Sequence, residues 1–373
     1  MSVASGASLV RDSLILLLDS GNPLSFPGQP TTNHFPGAST MASCTSYSAG
    51  NDGTFLTEFG TLGYKMVHRD TWNGMSKSIT VPSTGVYTIS AYYRYHGGTS
   101  SNNGATMYLS GYGGSDTNSG INKSIIGEWQ RVSKTITVTD TTFRVYMISY
   151  GGVQGTDWSS WEVTMPQVEK LSYSTPFTDG TRSAIDGWKD LSGENNHGDL
   201  SAMSFDTNAQ MLFNSGVGAY ADTGFIPSFV HADATHSVWI KYSTFGGAVG
   251  CHNSRRFYMG LSSASNFGWG VCNVNNWSSG ATHSIALEEY VMLTVVADNG
   301  VARSYINGKD TGVTFAYTKD SGFSPNESYK LGSWNGITQF VDGYIPISMM
   351  YNRALTASEV LQNFNAFRGR FGV

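Results

Sequence analysis

The residues of this chain best suited to chemistry are aromatic rings set among amides. Trp269, Asn273, Asn275, Asn276 and Trp277 fall close together, and Trp334 with Asn335 repeats the pairing. Further along the same theme, Tyr92, Arg94 and Tyr95 precede a Gly- and Asn-rich stretch, and Asp157 precedes Trp158. Such sets hold sugars: a ring packs on the C–H face of a pyranose while amide, hydroxyl and guanidinium groups bond its hydroxyls. Half of these aromatics are also what a core or a subunit contact would need.

Acid–base chemistry finds less to work with. A retaining glycosidase needs two carboxylates about 5–5.5 Å apart, and a Glu-x-Asp-x-Glu strand is absent. Glu288 and Glu289 are adjacent, so on a strand they point to opposite faces. Glu162 stands beside Trp161 without an alternating acidic partner. Asp190, Glu194 and Asp199 flank an Asn-rich turn and offer the oxygens that Ca²⁺ takes; the alternative is that they cap their own turns. His231 and His236 straddle a strand start with no third ligand nearby, and the run Gly216 to Ala221 has the glycines of a dinucleotide fingerprint without the helix that must follow. Asn122, Asn276 and Asn326 head sequons by composition alone. The expectation is a protein that binds and does not catalyse, with no cofactor apart from the Ca²⁺ alternative.

The elements that would carry these residues are strands. Of 373 residues only 13% are charged, while 44 Gly, 10 Pro and 13% aromatics mark an all-β chain with tight turns. The net charge of −5 and the lack of any basic run argue against nucleic acid. The longest apolar run, Leu14 to Leu18, is far short of the ~20 residues of a spanning helix. Flanked by Arg11, Asp12 and Asp19, it is no secretory core either, so synthesis in a cytoplasm is expected. Cys44, Cys251 and Cys272 are an odd set without a C-x-x-C, so no disulfide framework is written here; buried thiols are expected, with a Cys251–Cys272 pair as the alternative.

Leu14–Leu18 is apolar on both faces and must be covered on both, which residues 1–30 cannot do alone. Residues 31–65 read as loop. Alternating strands then follow at 86–95, 129–138, 142–149 and 161–168, with Tyr87, Ile89, Ala91, Tyr93 and Tyr95 sharing one face. A second series runs from Ile185 onward, with hairpin turns at Asn299-Gly300 and Asn307-Gly308. One helix is expected near the C-terminus. Thr356 and Glu359 form its capping box, Val360, Leu361, Phe364 and Phe367 its apolar stripe, and Gly369 its end.

Glu288 to Val296, Asp298-Asn299-Gly300 and Ser304 to Lys309 resemble the core hairpin of laminin-G-like, concanavalin A-like lectin domains. Asp342 to Ile345 and Met350 to Thr356 continue the likeness. The tail from Glu359 to Phe367 with Arg370-Phe371-Gly372, and the opening Leu14 to Pro23, are similar to versions found in tailed-bacteriophage virion proteins. In that pattern the opening leads shortly into a Trp-x-Asp-Leu-Ser-Gly turn, here Trp188 to Gly193. The intervening residues end in Gln167-Val168-Glu169 and Tyr173 to Phe177, similar to the exit of carbohydrate-binding-module-like jelly rolls.

The resemblance implies two β-sandwich domains, a jelly roll of residues 31–180 inserted into an early loop of a lectin domain built from 14–30 and 181–373. Residues 1–13 would form an arm that needs a partner surface to become ordered. It further implies a virion structural protein: a tail, neck or head appendage touching host-surface glycan, attached to other virion proteins through that arm, and assembled as a homo-oligomer, by analogy with phage fibres a trimer. Two alternatives stay open. One is a capsid or tail decoration protein using the folds only for packing, the other a polysaccharide depolymerase.

Overall fold

Leu14–Asp19 pairs antiparallel with Gly343–Tyr351, setting Leu17 opposite Met349. The partner strand completes a six-stranded sheet in which it is followed by Ala234–Tyr242, Tyr290–Asp298, Val301–Ile306 and Lys309–Ala316. The structure, a computed structural model, describes residues 8–37, 41–47, 54–56, 60–68, 73–99, 105–149, 159–206, 208, 210–226, 233–252, 257–261, 267–271, 274–276, 285–318 and 327–373. The chain divides into two units, residues 1–29 with 183–373, and residues 30–182. The fold is nearly all-β, sandwich sheets with a single α-helix among the described residues.

In the first unit the strands Leu14–Asp19, Gly343–Tyr351, Ala234–Tyr242 and Tyr290–Asp298 of the six-stranded sheet are buried on both faces. Leu16, Leu18, Val238, Ile240, Leu293 and Val295 join one core with Phe257, Met259, Trp269 and Leu331 of a seven-stranded sheet. On the other face Leu17, Trp239, Met292, Val296, Met349 and Tyr351 pack with Val360 and Phe364 of the helix. This is the two-sided cover that Leu14–Leu18 requires, at roughly 1.5–3 kcal/mol per buried side chain. Both hairpin turns have positive φ at each central residue, 45° and 85° at Asn299-Gly300, 52° and 74° at Asn307-Gly308. That geometry suits the right-handed twist of the flanking strands.

Residues 8–13 depart from the expectation of an arm awaiting a partner. Leu9 and Val10 pack in the helix-side core. Val10 N–H donates to Asn363 Oδ1 at 3.0 Å, Tyr351 Oη donates to the Val10 carbonyl at 3.0 Å, and Asp12 pairs with Arg353 at 2.9 Å. Two apolar residues suffice because the chain's own helix supplies the surface; residues 1–7 lie outside the described residues.

The helix spans Ala357–Phe371 and opens with the expected capping box between Thr356 and Glu359. It passes through Gly369 and stops at Gly372, whose φ of 72° ends it instead. Leu361, expected in the apolar stripe, is exposed. The buried face runs through Val360, Asn363 and Phe364, and the Phe364 ring stacks on Trp239 at 5.5 Å. Arg353 holds the capping glutamate with two bonds, 3.0 Å and 2.6 Å. That clamp, with the Thr356 bonds, outweighs burial and brings the Glu359 carboxyl down to about 2.

The second unit stacks two five-stranded sheets. One orders Trp129–Val138, Gly85–Gly98, Ser159–Glu169, Gly60–His68 and Thr54–Leu56; the other orders Thr45–Tyr47, Asn73–Thr80, Thr142–Ser149, Ala105–Ser110 and Thr117–Gly120. Tyr87, Ile89, Ala91, Tyr93, Trp161 and Val163 lie in the core between them. The expectation of loop up to Lys65 fails here. Four strands form or begin in it because pairing and the burial of Leu56 and Met66 override the weak strand propensity of a Gly- and Thr-rich stretch. At the ends of the segment Thr31–Thr32 pairs with Thr181–Arg182. Cys44 is free and its thiol is pushed up to about 11 by burial; Cys272 lies outside the described residues, as does the side chain of Cys251.

Phe364→Ala should cost about 3–5 kcal/mol and Thr356→Ala about 1 in thermal or urea melts. An unchanged melt for Phe364→Ala would show that the helix does not roof the sheet. The Glu359 carboxyl is depressed in the folded state, so its stabilisation is full above its ordinary value of 4.5 and is lost as pH falls through about 2. The melting difference between wild type and Glu359→Gln should therefore shrink across that window. A difference independent of pH would refute the clamp.

Candidate functional site

Alternation along Gly85–Gly98 sends Tyr87, Ile89, Ala91, Tyr93 and Tyr95 into the core and leaves Thr88, Ser90, Tyr92, Arg94 and His96 on the opposite face. Cross-strand partners fix what stands beside them. Arg94 faces Glu162 on one side and Trp129 on the other, Tyr92 faces Thr164 and Arg131, and Glu162 faces Lys65. The central strand Ser159–Glu169 carries Pro166, which has no N–H for a ladder. A bulge between Thr164 and Gln167, with Met165 at φ 52°, accommodates it. The extra residue also restores phase, so that Gln167 and Glu169 stand across from Ser90 and Thr88 on the same polar face.

Within this face the groups are locked together. Arg94 Nε donates to Glu162 Oε2 at 2.5 Å, and its guanidinium lies 4.6 Å from the Trp129 ring centroid. His96 Nε2 is 3.1 Å from the other oxygen of Glu162. Arg131 lies 5.3 Å from the Tyr92 centroid and donates to Ser90 Oγ at 3.0 Å and to the Thr175 carbonyl. Glu162 is buried, whereas Tyr92, Arg94, Trp129 and Arg131 are half-buried. The buried carboxylate thus orients Arg94 over the partly exposed Trp129 ring, with Arg131 over Tyr92, an arrangement of aromatic rings and fixed polar groups that suits a polyhydroxylated ligand.

The sequence-predicted residues fare unevenly. Tyr92 and Arg94 belong to this face, but Tyr95 is in the core. Trp269 is not a surface residue: it is fully buried and stacks on Phe315 at 4.5 Å, because its strand presents that position to the sheet interior. Asn275 and Asn276 lie on the strand Val274–Asn276, whose side chains lie outside the described set, as do Asn273, Trp277, Asp157 and Trp158 altogether. Trp334 is half-buried against Tyr258 at 5.3 Å, and Asn335 Oδ1 accepts from the Ile337 and Thr338 amides, capping its own loop. Trp129, Arg131, His96 and Glu162 were missed as a set. The signal was the alternation of Trp129–Val138, which puts Trp129 and Arg131 on one face, but the pairing that brings them to Arg94 is not local.

Of the Ca²⁺ candidates, Asp190 and Asp199 accept hydrogen bonds from nearby groups. Asp190 Oδ1 accepts from the Leu17 and Ser192 amides and Oδ2 from Ser192 Oγ and the Asn196 amide, while Asp199 accepts from the Asp186 amide. Glu194 points to solvent-exposed surface, and among the described residues no three His, Cys, Asp or Glu side chains group to hold a metal. His236 is a core residue, 3.6 Å from the Phe257 centroid; His231 lies outside the described residues. Also among the described residues, no helix is long and apolar enough to cross a membrane.

The helix-roofed sandwich of the 1–29 and 183–373 unit has a lectin-like β fold. Residues 214–361 match the profile of the concanavalin A-like lectin/glucanases superfamily, so this stretch carries a concanavalin A-like domain. A comparison with curated proteins finds no match. Among solved structures, the chain is similar to the botulinum neurotoxin serotype D binding domain, at 12% identity and TM-score 0.36, covering 48% of each chain. It is also similar to domain 4 of AbnA, a GH43 extracellular arabinanase of Geobacillus stearothermophilus in complex with arabinotriose, at 17% identity and TM-score 0.36, over 48% of this chain and 92% of that one. A Trypanosoma rangeli sialidase mutant is similar at 12% identity and TM-score 0.40, over 62% and 43%. The chain spans about half the length of the neurotoxin binding domain.

Removing the guanidinium leaves the buried Glu162 without its strongest partner, so Arg94→Ala should cost on the order of 3 kcal/mol. Adding Glu162→Gln should recover part of that loss in thermal melts. Full additivity of the two changes would show that the pair is not coupled.

Proposed function

We propose that this chain is a non-enzymatic glycan-binding protein and that the polar face of the 30–182 unit holds the sugar. The observation carrying this reading is the set Trp129, Tyr92, Arg94 and Glu162. Two partly exposed rings are each paired with a guanidinium, and one of those is fixed by a buried carboxylate. Because all four stand on paired strands, little order is left to acquire on binding, which favours affinity. The spacing of the carboxylates supports binding over hydrolysis: opposite Glu162 stand Arg94 and Lys65, and Glu169, the other acid on this face, lies seven positions along the strand and accepts from Thr175.

The resemblance of the opening and tail segments to tailed-bacteriophage virion proteins supports a finer reading. The chain would serve on a virion, made in the host cytoplasm, as an appendage contacting host-surface glycan, and would assemble as a homo-oligomer, a trimer by analogy with phage fibres. Since residues 8–13 are engaged by the chain's own helix, attachment to other virion proteins would use another surface or residues 1–7.

A glycan array with the purified chain tests the function. Specific hits are expected, roughly tenfold weakened by Trp129→Ala. Silence across the array would sink the glycan reading and leave a decoration protein that uses these folds for packing. Release of product from any hit would make the chain a depolymerase.

A further inference from the structure

We propose that the unit formed by residues 1–29 and 183–373 has its own sugar site, a pocket that takes one neutral hexopyranose residue. The pocket holds about 350 Å³, at the lower end of the ~300–1,000 Å³ of small-molecule sites. That is room for a single sugar residue, not for a stretch of polymer. It opens where the last turn of the C-terminal helix meets the six-stranded sheet, walled by Tyr290, Tyr344 and Phe371 and edged by Asn208, Gln210 and Arg370.

Three rings with two amides is the composition that sugar recognition asks for: apolar faces for C–H groups and donors and acceptors for hydroxyls. The rings are held in place. Phe371 stacks on Trp239 at 4.5 Å and tilts against Tyr290 at 4.7 Å, while the Tyr344 hydroxyl donates to Asp206 Oδ2 at 3.3 Å. Burial raises both tyrosine hydroxyls above their ordinary value, so both are neutral at physiological pH; Tyr344, its proton directed to Asp206, offers its oxygen as an acceptor.

Charge decides the ligand class. Arg370 is bound to Asp19 at 2.5 Å, and a Cβ at Gly21 would collide with its guanidinium, so the glycine is what lets the arginine lie over this turn. Lys241, 4.6 Å from the Tyr344 centroid, has Glu288 at 3.4 Å. Each cation already has its carboxylate, and Asp206 adds a negative charge. An acidic sugar would meet no uncompensated cation, whereas a neutral one meets hydroxyl, amide and carboxylate partners.

The experiment is saturation-transfer NMR on the full chain with the methyl glycosides of galactose, glucose and mannose, and with N-acetylneuraminic acid as the acidic comparison. At least one neutral glycoside should be saturated. Asn208→Trp, at an exposed position, should fill the pocket and weaken that binding roughly tenfold, as should Tyr344→Ala, while Trp129→Ala on the other unit leaves it intact. Saturation of none of the neutral glycosides overturns the proposal. So does binding that survives Asn208→Trp, or binding that is lost in Trp129→Ala alone, which would assign it to the polar face of the 30–182 unit. Stronger saturation of the acidic sugar overturns the assignment of a neutral ligand.

Discussion

The 1–29 and 183–373 unit depends on one requirement: four strands of its six-stranded sheet are apolar on both faces and must be covered twice. Trp239, Met292 and Met349 point one way, and Val238, Leu293 and Met350 the other. A second sheet covers one side, as in any sandwich. On the other side the roof is a single 15-residue helix with residues 8–13 beside it. The roof is therefore fastened by polar groups as well as apolar ones. Asn363, itself buried, accepts from the Val10 amide and donates to the Tyr351 hydroxyl, which in turn donates to the Val10 carbonyl. Each of the three residues in that triangle is bonded to the other two, and a buried polar group costs little when it is hydrogen-bonded. The pocket at Phe371 exists because the roof ends there.

Much of this was readable from the chain. Five consecutive apolar residues at Leu14–Leu18 state a burial requirement that no local neighbour meets, so a distant partner strand follows from composition alone. The capping box and the two Asn-Gly turns are equally local, because each is a bond or a φ preference within four residues. What failed was also local reasoning. Gly369 looks like a helix stop, but glycine only weakens a helix by about 1 kcal/mol, and packing of Phe371 on Trp239 outweighs that. Residues 1–13 look too polar to fold, since the groups that order 8–13, the side chains of Tyr351, Arg353, Gln362 and Asn363 and the Asn352 amide, lie far along the chain.

The site was less readable because it consists of pairings. Trp269 and Trp129 are the same residue type on alternating strands, yet one stacks on Phe315 in the core and the other lies under Arg94 on an outer face. Period alone assigns the two sides of a strand without saying which side is inside; the partner strands decide. Tyr92 and Arg94 were recoverable because the hydrophobic series Tyr87 to Tyr95 identifies the inner face without help. Glu162 looks like a stray acid in the sequence. Its meaning lies in Arg94 and His96, more than sixty positions away.

Scarce charge makes such pairs informative. With 13% of its residues charged, the chain has few ions to spare, and isolated surface pairs are worth little. A buried pair is different, since desolvating both groups can cost as much as their attraction returns. Arg94 and Glu162 sit under that penalty beside two aromatic rings, on a strand whose phase is kept by a bulge at Pro166. In general a buried ion pair can be replaced by apolar residues of similar volume with little or no loss of stability. What the ionic pair adds is direction: the Glu162 carboxylate sets the plane of the guanidinium that lies over Trp129. Direction of that kind serves a ligand with hydroxyls at fixed positions more than it serves the core beneath, and this is the physical reason to regard the outer sheet face as a binding surface.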